Sequence, residues 1–75
     1  MVYITNDPIF GENLKYIRES NGFTPFYMAK LLNITEERLH QLENGQYREI
    51  DSLITRILKN MMEDENLDLF SKLKP

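Results

Sequence analysis

The sequence predicts an all-α domain of five short helices, and three observations predict it. Apolar residues recur three and four apart along most of the chain, which is the period of one helix face. No stretch combines strict apolar–polar alternation with turn residues, the mark of paired strands. Helix start and stop chemistry also repeats. Asp7-Pro8, Thr24-Pro25 and Thr35 stand where helices would open, and Asn21-Gly22, Asn33 and Asn44-Gly45 where they would close.

The elements follow in order. Residues 1–6 contain Val2, Tyr3, Ile4 and Thr5 with no neighbouring strand to pair with, and read either as an extended arm or as a disordered tip. Asp7 would cap a first helix near 8–20, with Pro8 at its first position and Phe10, Leu14 and Ile17 facing inward. Thr24 caps a second helix near 25–32, carrying Phe26, Ala29, Leu31 and Leu32. The neighbours Phe26 and Tyr27 cannot both point inward from one helix turn, so one belongs at the surface. Thr35 caps a third helix near 36–44, whose inward positions are Leu39 and Leu42. Ile50, Leu53 or Ile54, Ile57, Leu58 and Met61 mark a fourth near 51–61, beginning near Asp51. Leu67, Phe70 and Leu73 sit three apart and predict a fifth near 66–73. That last stripe is either the lid of the core or a dimer patch. The division is an arm over 1–6, the helical domain over 7–62 and a C-terminal helix or tail over 63–75. Ile17, Ala29, Leu32, Leu39, Leu42, Ile57 and Leu58 are expected among the most buried residues.

Composition narrows the function. Seventy-five residues make one domain with a small core. The absence of cysteine excludes disulfides and thiolate metal sites. No apolar run approaches the ~20 residues of a bilayer span, and the N-terminus lacks a basic segment leading into an apolar one. A soluble cytoplasmic protein is expected. His40 is the only histidine, with no nucleophile or acid–base partner at a telling spacing and no ligand cluster for a metal. Neither enzymatic activity nor a cofactor is expected.

One constellation stands out. Two helices joined by about three residues must cross steeply. The crossing needs a small residue on the first helix, tolerance of positive φ in the turn and branched apolar residues on the second. Ala29, Asn33, Leu39 and Leu42 supply these at the spacing Ala-x3-Asn-x5-Leu-x2-Leu. Gln41-Leu42-Glu43-Asn44-Gly45 then resembles the end of the recognition helix in the Cro/CI-type, lambda-repressor-like helix-turn-helix family. Leu14-Lys15-Tyr16-Ile17-Arg18 is similar to that family's first helix. The resemblance covers roughly residues 9–61. It implies a small transcriptional regulator, repressor or antitoxin-like, often dimeric, that places its third helix in the major groove of double-stranded DNA. It also implies a partly buried ion pair between Arg18 and Glu43, a pairing that a forked guanidinium and a carboxylate suit chemically.

The candidate DNA-binding residues are Thr35, Glu36, Glu37, Arg38, His40, Gln41 and Asn44 on or beside the third helix, and Arg48 beyond it. Gln41 fits bidentate readout of adenine, and Arg38 could reach a base edge. His40 or Asn44 would lie near a phosphate, as would Arg48. Some residues depart from the family pattern. Pro25 stands where the family usually has glutamine, and Glu36 and Glu37 replace neutral or basic residues. The chain carries a net charge of −3, whereas most DNA affinity at low salt comes from cations on phosphates. These features point to a second reading, a protein-interaction module that keeps the fold with weak or no DNA binding. A homodimer through residues after Met61 is expected under the first reading.

Overall fold

The computed structural model describes residues 2–4, 8–47 and 49–73. Among them are four helices: α1 (Ile9–Ser20), α2 (Pro25–Leu32), α3 (Glu36–Glu43) and α4 (Ser52–Met61). The chain is mostly helical and folds into a globule of 26 × 25 × 24 Å. None of these helices is long and apolar enough to cross a membrane.

Local chemistry accounts for the helix ends. The hydroxyls of Thr24 and Thr35 accept from the backbone N–H groups of Tyr27 and Arg38, at 3.1 and 3.0 Å. The Asp51 carboxylate accepts from Leu53 N–H at 2.9 Å and opens α4. These bonds satisfy donors that a helix start leaves free. Pro8 stands one place before α1, without a side-chain cap bond, instead of at its first helical position. Asp7, expected as the cap, lies outside the described residues. At the other ends, one residue after each helix adopts positive φ: Gly22, Asn33, Gly45 and Glu63. The residue beyond each donates back to the carbonyl five positions earlier, as Phe23 N–H does to Arg18 at 3.0 Å and Ile34 N–H to Ala29 at 2.9 Å. Such closures satisfy carbonyls that would otherwise be orphaned.

Two expectations about architecture are corrected. First, Val2–Ile4 is not an isolated arm. It forms β1, paired antiparallel with β2 (Glu49–Asp51) in the register Val2↔Asp51, Tyr3↔Ile50 and Ile4↔Glu49. The ribbon escaped the sequence pattern because β2 alternates over only three residues, with Ile50 buried between exposed Glu49 and Asp51. Second, residues 66–73 form no helix. Asp64 and Asp68 fold their side chains back to accept from the N–H groups of Asn66 and Phe70, at 3.0 and 2.9 Å. These local turns compete with helical bonding.

The core is continuous. Phe10, Leu14 and Ile17 of α1, Met28, Ala29 and Leu32 of α2, Leu39 and Leu42 of α3, and Ile54 and Leu58 of α4 are buried, together with Tyr47, Ile50 and Leu69. Ile57, expected in this group, is only half-buried, because the face of α4 is centred on Ile54 and Leu58. Phe26 and Tyr27 are both exposed, and Met28 takes the inward position between them and Ala29. Tyr27 instead meets Phe23 edge-on at 4.9 Å.

The C-terminal segment closes the core as a lid. Leu69 is buried, Leu67, Phe70 and Leu73 pack against the core, and Phe70 stacks on Phe10 at 5.5 Å. One side chain anchors it. Asn13 is 1 % exposed. Its Nδ2 donates to the carbonyls of Leu69 and Ser71, both at 2.7 Å, and its Oδ1 accepts from Leu73 N–H at 3.0 Å. Asn13→Ala strips three backbone groups of their partner and is expected to cost about 2–3 kcal/mol. Urea unfolding measures the loss, and amide exchange should quicken first in residues 69–73. A stability loss without faster exchange there would contradict the anchoring role.

The lid also has a pH dependence. The Ser71 hydroxyl and then the Phe70 N–H, both bonding to Asp68, hold that carboxyl below its ordinary value of 3.8. A depressed folded-state pKa stabilises above the ordinary value and is lost as pH falls through the depressed one. The turn at residues 68–71 is therefore expected to loosen only below about pH 4. The chemical shift of the Phe70 amide proton in an acid titration checks this. Loosening already near neutral pH would refute it.

Candidate nucleic-acid interface

Residues Asn33–Thr35 join α2 to α3. Asn33 takes the left-handed conformation, φ 58° and ψ 45°, that lets the chain reverse in so few residues. Ala29 and Leu32 then face Leu39 and Leu42 across the crossing, all four buried. With those leucines inward, Glu43 turns toward α1 and the other positions of α3 lie toward the surface. Glu36, Glu37, His40 and Asn44 are exposed, and Arg38 and Gln41 are half-buried.

The expected site residues do not share one role. The Thr35 hydroxyl is engaged in capping α3. Glu36 and Glu37 occupy its first turn, where the helix dipole favours negative charge. The Arg38 guanidinium donates through Nη2 to the Glu49 carbonyl of β2 at 3.1 Å, so it ties α3 to the ribbon. Gln41, His40 and Asn44 remain as polar side chains on the outer surface, Asn44 as the C-cap residue of α3. Arg48 lies outside the described residues.

The position of α3 is set by α1, through two contacts. Arg18 and Glu43 pair as a fork, Nε to Oε2 at 2.7 Å and Nη2 to Oε1 at 3.2 Å, while Nη1 donates to the Phe23 carbonyl at 3.2 Å. Their side chains are 13 % and 6 % exposed. The bond to Glu43, opposed only in part by burial, raises the Arg18 pKa above its already high ordinary value. Arg18 is therefore charged at every working pH. The second contact is Gly11. A Cβ at this position would lie 2.3 Å from the Leu42 carbonyl oxygen and 3.0 Å from that of Glu43. Only glycine lets α1 lie so close to the end of α3. The Gly11 N–H, a free donor of the first turn, is met by the Tyr47 hydroxyl at 3.2 Å.

Gly11, Asn13 and Tyr47 were not singled out in the sequence as positioning residues. A glycine inside a helical pattern was the available signal, since it costs helix stability without a packing reason. Among the described residues, no three His, Cys, Asp or Glu side chains gather as a metal site. Compared with protein-family models, with curated proteins and with solved structures, the chain matches none.

Proposed function

We propose that this domain binds double-stranded DNA as a small transcriptional regulator, with α2 and α3 acting as a helix-turn-helix and α3 entering the major groove. One observation carries the reading. A three-residue turn with Asn33 left-handed seats Leu39 and Leu42 in the core and leaves Glu36, Glu37, His40 and Asn44 of the opposite face exposed among the described residues. The fork from Arg18 and the close approach at Gly11 support it, because a reading helix must be held rigidly.

Gln41 is the leading reader, with His40 and Asn44 beside it. Arg38 serves first to hold α3 against β2 and could reach a base only by leaving the Glu49 carbonyl. A two-fold homodimer would set two copies of α3 about 34 Å apart, one turn of DNA. The stripe of Leu67, Phe70 and Leu73 already packs on its own core, so only its outer surface is left for such a contact.

Fluorescence anisotropy against selected and random DNA, at two salt concentrations, tests the reading. Gln41→Ala is expected to cost about 1–3 kcal/mol on a preferred site and to relax selectivity at one base pair. Arg48→Ala, whose role rests on the resemblance, should weaken all DNA alike and lower the salt slope by about one. Glu36→Gln with Glu37→Gln should raise non-specific affinity by removing two charges that oppose phosphate. No affinity for any DNA at about 50 mM salt would rule out the regulator reading.

A further inference from the structure

We propose that the cleft between α2 and the start of α3 docks a basic segment of a partner protein by one large apolar side chain. The cleft is a cavity of about 260 Å³ lined by Phe26, Ala29, Lys30, Ile34, Thr35 and Glu36. Phe26, Ala29 and Ile34 make much of its lining apolar. They offer an apolar residue a place to leave water.

The surface around the cleft extends this chemistry. Phe26 is 60 % exposed, and Tyr27 and Leu31 on the same helix are exposed as well. Three large apolar side chains on one eight-residue helix make a patch of the kind that marks a protein contact. Phe26 lies beneath the ammonium of Lys30, 5.5 Å from the ring centre, so the ring face is held toward a cation.

Charge selects the occupant. Lys30 and Glu36 both line the cleft, and Glu37, exposed like Glu36, follows it, so two carboxylates stand against one ammonium, which already faces the Phe26 ring. Neither is paired with a cation among the described residues. Lysine or arginine flanking the apolar anchor would complement them, and the excess of carboxylates over the one ammonium disfavours phosphate. The chemistry of this cleft therefore fits a protein segment better than nucleic acid. Thr35 and Glu36 also begin α3, so an occupant would cover the end of the helix assigned above to the major groove. Mutual exclusion of the two ligands is the one consequence that rests on the DNA reading.

A phage library of random decapeptides, selected on the full chain, tests the proposal. Enriched sequences should join a large apolar residue to Lys or Arg. A synthetic copy should shift the amide resonances of Ala29, Ile34 and Thr35. Phe26→Ser, at an exposed position that the core does not use, should abolish binding with the fold intact by circular dichroism. Glu36→Gln with Glu37→Gln should weaken it roughly three- to ten-fold. No enrichment, acidic consensus sequences, shifts elsewhere on the domain, or binding that survives Phe26→Ser would each overturn the proposal. So would a finding that Phe26→Ser impairs DNA binding while peptide binding is unchanged. Peptide binding without any DNA affinity would leave this inference standing and remove only the DNA reading.

Discussion

Gly11→Ala is expected to destabilise the domain by about 2–3 kcal/mol, although alanine is the better helix former by ~1 kcal/mol. The added methyl would lie 2.3 Å from the Leu42 carbonyl oxygen and 3.0 Å from that of Glu43. Both are backbone atoms near the end of a helix whose leucines are locked in the core, so neither can yield alone. The relief must come from α1 moving away from α3. That movement would also stretch the Arg18–Glu43 fork and the bond from Gly11 N–H to the Tyr47 hydroxyl. The sign of the effect is the discriminating result. At a solvent-facing helical glycine the same substitution would stabilise. Urea unfolding of the two proteins decides it, and an unchanged or raised midpoint would refute the close approach.

Glu43→Ala is expected to cost about 3 kcal/mol, the lower end of the range for breaking a buried pair. The Arg18 side chain is only 13 % exposed, so its charge would be left largely out of water with one carbonyl, that of Phe23, as partner. Arg18→Ala should cost a similar amount, since Glu43 is 6 % exposed and would lose both donors. Arg18→Lys should not rescue, because a single ammonium cannot span both carboxylate oxygens and the Phe23 carbonyl at once. The double variant Arg18→Ala with Glu43→Ala should lose less than the sum of the two single losses. Thermal and urea unfolding of the four proteins complete the cycle. Strict additivity would mean that the fork does no more than two separate surface charges.

Much of the fold was legible before the structure. Thr24 and Thr35 announced helix starts, Gly22, Asn33 and Gly45 announced stops, and Leu39 with Leu42 set the inward face of α3. These are local matters. Capping depends on a side chain and the backbone within three residues of it, and inward spacing depends on 3.6 residues per turn. The Arg18–Glu43 pair was reached differently, through the family resemblance, and the structure contains it.

What the tertiary structure decided is non-local. β1 exists only because β2 lies alongside it, and three residues in each strand carry too little pattern to announce a ribbon. The segment after α4 has apolar spacing fit for a helix. Its aspartates bond their own backbone instead, and Asn13, 56 positions before Leu69, takes hold of its carbonyls. The role of Arg38 changed for the same reason: its partner is a backbone carbonyl eleven residues on, and carbonyls are invisible in a sequence. Helix periodicity names the face that turns inward. Which backbone groups that face will meet, and whether a glycine there is permissive or obligatory, depends on how closely separate elements pack, and only the assembled chain determines that.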